Sequence, residues 1–171
     1  MEQHRDLDCV RRLVFSNDLR DFLNLIGQLR FQQRWAQTQR IPETSVAGHM
    51  LIVALLSYIL TLEMDACEKR KYNNFFAGLF HDLPEVLTRD IISPVKNSVD
   101  GLSDLIKSIE EEQMEKMLLP LLPGKWRDEI RYFPDDEFSC RIILDGKTIK
   151  VSTEKINELY NSDVFSPVDG S

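Results

Sequence analysis

Residues 77–90 read Ala77-Gly78-Leu79-Phe80-His81-Asp82-Leu83-Pro84-Glu85-Val86-Leu87-Thr88-Arg89-Asp90. An apolar run ends on a histidine and an aspartate. A proline follows, and two more carboxylates come after it. His81 is one of three histidines in the chain. Another, His49, lies upstream on a second apolar stretch. An unpaired imidazole in such surroundings is costly, so both rings need partners. Imidazole and carboxylate together suit Zn, Mn, Fe, Co or Ni, whereas all-oxygen sites suit Mg or Ca. A metal centre is the first expectation for this chain.

The periodicity on either side says how the two histidines could meet. Lys69 to Phe80 reads as a helix ending at His81-Asp82. Proline is acceptable in the first turn of a new helix. A bend at Asp82-Leu83 and a short helix over Glu85 to Thr88 are therefore expected, the latter running toward Asp90. Ser45 to Met64 reads as the preceding helix. Val46, Met50, Leu51, Val53, Ala54, Leu55, Ile59 and Leu60 make it apolar on nearly all sides, which predicts a central position. Successive antiparallel helices bring the start of the first close to the end of the second. His49, His81 and Asp82 can then converge on one ion. Singly these signals are weak, since a lone histidine on an apolar helix is more often a hydrogen-bonded core residue and His-Asp is a common dipeptide. Glu85 alone reads as a carboxylate at a helix N-terminus, and Asp90 as a turn residue. The combination points to a site. Water bound to a metal is acidified enough to act as a nucleophile near neutral pH, and a nearby carboxylate can hold its remaining proton.

Further out, Ser16-Asn17-Asp18 can cap a helix whose apolar face is Leu19, Phe22, Leu23, Ile26 and Leu29. Arg34-Trp35 lies at its end, and Gln37 to Thr44, with Pro42, reads as a loop. Ser93-Pro94 breaks the pattern. Leu102, Leu105, Ile106, Ile109, Gln113 and Met117 mark another long helix, whose acidic run Glu110-Glu111-Glu112 reads as a solvated face. Pro120 to Gly124 reads as a turn, and Trp126 to Tyr132 as a short helix. After Pro134 the pattern changes to alternation: Phe138, Cys140 and Ile142 up to Leu144, then Asp145-Gly146, then Lys147 to Val151. Asp-Gly between alternating runs predicts a β-hairpin, with a short helix over Thr153 to Tyr160. The fold class expected is mostly α, with a helical core over 1–133, a hairpin and short helix over 134–160, and a linker-like tail over 161–171.

The 171 residues suffice for one domain with a real core, and 43% hydrophobic residues with seven Gly and seven Pro make a globular composition. A net charge of −7 argues against binding long nucleic acid. It leaves room for a small phosphorylated substrate held by one or two arginines. Cys9, Cys67 and Cys140 form no CxxC pair or disulfide framework, and the charged N-terminus has no apolar signal core. These features predict a cytoplasmic protein. The apolar run Met50 to Leu62 reads as too short to span a bilayer, so no membrane partner is expected. A homodimer is the commonest oligomeric prior.

These residues resemble the HD-domain superfamily of metal-dependent phosphohydrolases. The resemblance covers Phe31 to Lys96, and more loosely the helix to Met117. It is carried by Arg34-Trp35, by Ser45-Val46-Ala47-Gly48-His49, by the stretch 77–90, and by Ser93-Pro94-Val95-Lys96. The string His-Asp-x-x-Glu-Val-Leu-Thr-x-Asp followed by Pro-Val-Lys is similar to the branch of bacterial 5′-deoxynucleotidases. The resemblance implies an all-helical core and one divalent ion (Mn, Co, Mg, Ni, Fe or Zn) held by His49, His81, Asp82 and a further Asp. It implies that Glu85 and Asp90 assist the attacking water and the leaving group, that Arg34 holds the phosphate and that Trp35 contacts the sugar.

Two features depart from the family. Gly48 stands where Glu often precedes the first ligand, which alters the surroundings of His49. The late-helix Asp of the family has no counterpart in context, since Asp145 falls in a hairpin turn and Asp163 and Asp169 in a polar tail. The tail reads like a lead-in to a missing helix, which predicts an incomplete ligand set and an apolar groove. The function expected is hydrolysis of a phosphate monoester, a nucleoside 5′-monophosphate above all. The alternative is a non-catalytic, regulatory HD module that binds metal or nucleotide. A nuclease or cyclic-nucleotide phosphodiesterase ranks third, the acidic charge counting against long nucleic-acid substrates.

Overall fold

Small residues set the packing of this chain where the two longest of its described helices cross. In the computed structural model, an ideal Cβ placed on Gly78 would lie 2.8 Å from Ala54 Cα and 2.9 Å from Ala54 N. No side chain fits between the two backbones there. The structure describes residues 11, 15–35, 42–89, 91, 93–96, 98–135, 139–144, 147–160 and 169–170. The chain divides into two compact units, one of residues 1–46 and 83–131, the other of residues 47–82 and 132–171.

The first unit opens with α1 (Asn17–Ile26), capped as expected: Ser16 Oγ accepts from the Leu19 N–H at 3.2 Å. A 3-10 turn over Gly27–Arg30 continues it. Leu19, Phe22 and Leu29 are buried, whereas Leu23 is exposed. The chain then makes a small antiparallel bridge at Gln33 and Ser45. There the Arg34 N–H donates to the Thr44 carbonyl at 2.8 Å, and the Val46 N–H to that of Gln32 at 2.9 Å. The unit resumes at Leu83, and α4 (Glu85–Thr88) and α5 (Ser93–Lys96) follow. Ser93-Pro94, expected as a break, instead starts a single helical turn, because proline fits the first turn of a helix. Next are α6 (Leu102–Gln113), a π-helical turn over Met114–Leu118, a 3-10 turn over Leu119–Leu121 and α7 (Gly124–Tyr132). The regular helix therefore stops short of Met117. Thr88 Oγ1 donates to Glu110 at 3.0 Å, so one member of the acidic run fastens α4 to α6.

The second unit holds nearly all of α2 (Val46–Glu63), together with α3 (Glu68–Phe80) and α8 (Thr153–Tyr160). It also holds the hairpin of β1 (Arg141–Leu144) and β2 (Lys147–Lys150). The strands pair antiparallel with Arg141 opposite Lys150 and Leu144 opposite Lys147. The expected turn residues, Asp145-Gly146, lie outside the described residues. Of the tail, β3 (Asp169–Gly170) pairs antiparallel with β1. Phe133 is buried among Phe76, Phe80 and Tyr72 of α3, with ring centroids 5.8, 5.8 and 6.4 Å away. Arg141 donates to the Phe133 carbonyl at 3.3 Å and lies over the Tyr132 ring, so the hairpin is tied to this aromatic cluster. Arg70 of α3, also buried, donates to Asn157 of α8 at 3.0 Å. Burial draws its pKa below the ordinary arginine value, while Cys140 and Cys67 nearby oppose that shift.

α2 departs from its expected central position. Val46, Met50, Ala54 and Thr61 are buried, but Leu51, Ile52, Leu55, Leu56, Ile59, Leu60 and Leu62 are exposed. The buried positions follow a spacing of four, four and seven, a narrow stripe that one neighbouring helix can cover. An all-round apolar sequence predicted more cover than the described residues supply. The helix also runs past Met50 to Leu62 at both ends. Its 18 residues make it long and apolar enough to cross a membrane by length and composition alone, which corrects the expectation that it is too short.

Replacing Gly78 with alanine should force the two backbones apart and cost about 1–3 kcal/mol in a denaturant melt, the range for overpacked sites. Gly78→Val should cost more. A second test concerns Arg131, which grips both carboxylate oxygens of Glu115, at 2.6 and 3.1 Å. This hydrogen bonding holds the Glu115 pKa below its ordinary 4.5. A depressed carboxylate contributes stability that is present above its unfolded pKa and lost as pH falls through the folded value. Glu115→Gln should therefore flatten stability against pH in the acid range below about 4.5, measured by urea melts. The pair is solvent-exposed, so the change should be small.

Candidate metal centre

His49 sits in the first turn of α2. His81 and Asp82 follow directly on the last residue of α3. The crossing at Gly78 and Ala54 brings these ends together. His81 Nε2 lies 3.2 Å from His49 Nε2 and 3.2 Å from Asp82 Oδ2, and His49 Nε2 lies 3.7 Å from that same oxygen. The two rings meet edge to face, centroids 5.1 Å apart. Exposures of 11% for His81, 13% for Asp82 and 25% for His49 make the site recessed but reachable from solvent.

One hydrogen bond sets the chemistry. His81 Nδ1 lies 2.8 Å from the Gly78 carbonyl. A carbonyl only accepts, so Nδ1 carries a proton, and in the neutral ring Nε2 presents its lone pair. That lone pair faces the second imidazole and an oxygen of a carboxylate. A proton on His49 Nε2 could serve one of these acceptors, whereas a cation serves all three. Donor atoms spaced this way can share an ion lying about 2.0–2.2 Å from each, the distance zinc takes to nitrogen and carboxylate oxygen. Among the described residues, this is the cluster of His, Cys, Asp and Glu side chains able to hold a metal. The donor set fits the divalent ion expected from sequence and leaves its identity open.

Arg34, Trp35 and Glu85 lie in the first unit. Arg34 and Trp35 follow the Gln33–Ser45 bridge, and Trp35 adopts a left-handed backbone with φ 58°. Glu85 is buried at the head of α4, and its carbonyl accepts the Arg89 N–H at 2.8 Å. Gln32 Nε2 donates to the Val86 carbonyl at 3.5 Å, a link between the Arg34-Trp35 segment and the Glu85 turn. Asp90 lies outside the described residues, as do Asp145, Asp163 and the side chain of Asp169. The described donor set is thus His49, His81 and Asp82. Arg89, directly before Asp90, has φ 67° and ψ 161°, a region other residues leave to glycine at a cost of order 1–3 kcal/mol. Trp35, Arg89 and Asp65 are the non-glycine residues with positive φ among those described. Two of the three sit at or beside positions the family resemblance picks out. Gly78 escaped the sequence reading. Its signal is a small residue in a bulky run, one turn before His81.

Comparison with known proteins identifies the family. A model of the HD domain matches residues 26–170. The chain belongs to the HD-domain family. Within it, the chain is 30% identical over 115 residues to a 5′-deoxynucleotidase of Vibrio atlanticus (strain LGP32), covering 66% of this chain and 59% of that protein. A 5′-deoxynucleotidase of Vibrio cholerae is 27% identical over 119 residues, with the same coverage of each chain. One from Enterobacter sp. (strain 638) is 28% identical over 114 residues, covering 63% of this chain and 55% of the relative. The chain thus spans less than two thirds of the length of these curated relatives.

Titration of metal-stripped protein with Mn(II), Co(II), Ni(II) or Zn(II) should show one binding equivalent for at least one ion. His49→Ala, His81→Ala and Asp82→Ala should each weaken binding by more than the 10–100-fold typical of losing an outer hydrogen-bond partner. Affinity should fall as the solution is acidified, because the imidazoles bind metal neutral and the carboxylate binds it ionised. Binding that survives all three substitutions would place the ion elsewhere.

Proposed function

We propose that this chain is a metal-dependent phosphohydrolase that cleaves a phosphate monoester, with a nucleoside 5′-monophosphate as its substrate class. The observation that carries the reading is the convergence of two imidazole nitrogens and a carboxylate oxygen within 3.7 Å of one another. The names and family of the relatives support the substrate class. His49, His81 and Asp82 would hold the ion. Once bound, a divalent ion supplies Lewis acidity to a phosphoryl oxygen and lowers the pKa of water. The Gly78 carbonyl fixes the His81 ring by accepting a hydrogen bond from its Nδ1–H. Arg34 neutralises phosphate charge, a task suited to a planar guanidinium, and Trp35 packs against the sugar. Glu85 takes up the proton of the attacking water, and Asp90 returns one to the departing sugar oxygen. A reducing cytoplasm is the proposed setting, in keeping with free thiols at Cys67 and Cys140.

A second reading rests on the three-member donor set: an HD module that binds metal or nucleotide and regulates a partner without turnover. Phosphate release from a panel of ribo- and deoxyribonucleoside monophosphates, with each metal added to stripped protein, separates the two. Turnover with at least one metal is expected. Glu85→Ala should lower kcat at least 100-fold, within the range for a lost general base, while metal affinity stays within a few-fold. Equal loss of metal and rate would make Glu85 a ligand. Nucleotide binding without turnover under every metal would establish the regulatory reading.

A further inference from the structure

α6 carries a carboxylate where its own pattern calls for an apolar side chain. Along α6 and the π-helical turn after it, Leu102, Ile106, Met114 and Leu118 fall on a spacing of four, and Ile106, Met114 and Leu118 are buried. Glu110 is the middle member of that stripe. It is half-buried, whereas Glu111 and Glu112 beside it are exposed. A carboxylate on a packed face needs a hydrogen-bond partner. Thr88 of α4 meets that need, its Oγ1 donating to Glu110 Oε1 at 3.0 Å. Both helices belong to the first unit.

Thr88 closes the single helical turn that Glu85 opens. One turn of helix is not stable by itself. The Arg89 N–H returns to the Glu85 carbonyl at 2.8 Å, and Arg89 holds the glycine-like φ of 67° and ψ of 161°. Such a backbone persists only where its surroundings impose it. The Arg89 side chain is exposed, so its own packing does not supply the restraint. The hydrogen bond from Thr88, one residue earlier, ties the turn to a helix of 12 residues. A bond to an ionised acceptor stabilises by the same order as the strain it must offset. We propose that Glu110 is a positioning residue: by holding Thr88 it fixes the turn that carries Glu85, and so sets the rate of the proton transfer given to that carboxylate. Its effect on catalysis rests on the role proposed for Glu85, whereas its effect on the turn does not.

Amide hydrogen exchange of the full chain, read by mass spectrometry on peptides covering residues 83–89, tests the tie without any turnover. Glu110→Ala should speed exchange there about 10-fold or more, the effect of one lost bond to a charged acceptor. Peptides from β1 and β2 should not change. Thr88→Val should act alike from the other side of the bond, and carries the test should Glu110→Ala fail to fold. Glu110→Gln and Thr88→Ser, which keep an acceptor and a hydroxyl, should stay near the wild type. Glu111→Ala, at an exposed member of the same acidic run, should change nothing. In phosphate release, Glu110→Ala and Thr88→Val should each lower kcat about 10–100-fold, with KM and metal affinity within a few-fold. The double variant should be no slower than either single one, because both remove the same bond. Exchange at 83–89 indifferent to Glu110→Ala and Thr88→Val overturns the proposal. So do losses in kcat that add in the double variant, a raised KM with kcat unchanged, or Glu110→Gln as slow as Glu110→Ala. A wild type without turnover under any metal defeats the phosphohydrolase reading instead, and exchange alone then decides whether Glu110 holds the turn.

Discussion

The approach of two backbones where Gly78 meets Ala54 is the constraint on which the candidate metal centre depends. Helix axes usually pass 8–10 Å apart, the distance being set by the side chains between them. At this crossing there is no side chain on one of the two helices. α2 and α3 approach until a methyl group would overlap backbone atoms. His49 lies five residues before Ala54 on one helix, and His81 three residues after Gly78 on the other. The crossing thus controls the separation of their Nε2 atoms. Gly78 contributes a second time through its carbonyl, which holds the His81 proton on Nδ1. Spacing and tautomer therefore come from one residue that never touches an ion.

With both rings neutral and turned to bind metal, two imidazole nitrogens and a carboxylate oxygen within 3.2–3.7 Å of one another would be three acceptors side by side. Folding such a cluster has an electrostatic cost unless a positive charge enters it. Full burial would intensify the conflict, and full exposure would let water satisfy each acceptor separately.

Much of this was legible in the chain and some was not. The Ser16 cap, the bend after His81-Asp82, the turn of helix at Glu85 and the strands flanking Asp145-Gly146 are local, and short-range rules reach them. The convergence of His49 with His81-Asp82 followed from antiparallel helix geometry. The depth of α2 did not, because an apolar periodicity says which surfaces avoid water without saying what covers them. The helical turn at Ser93-Pro94 was hidden by treating proline as a breaker. The π-turn at Met114–Leu118 was hidden because apolar spacing continues smoothly through it. The backbone contact at Gly78 was invisible to a reading that counts side chains. The left-handed backbones at Trp35 and Arg89 oppose local preference, so they can come only from tertiary structure.

Those two backbones also bear on how the protein could be made sturdier. Each holds order 1–3 kcal/mol in an unfavourable conformation, against the roughly 5–15 kcal/mol by which folded domains outlast their unfolded chains. Glycine at either place would release that strain while giving the unfolded chain more freedom, so the two effects oppose each other. The net gain should be larger at Arg89, whose φ and ψ together suit glycine alone, than at Trp35, where removing an indole also forfeits its contacts. Thermal robustness and the fixed posture of the segments around residues 34–35 and 85–89 are therefore set against each other in the same few torsion angles.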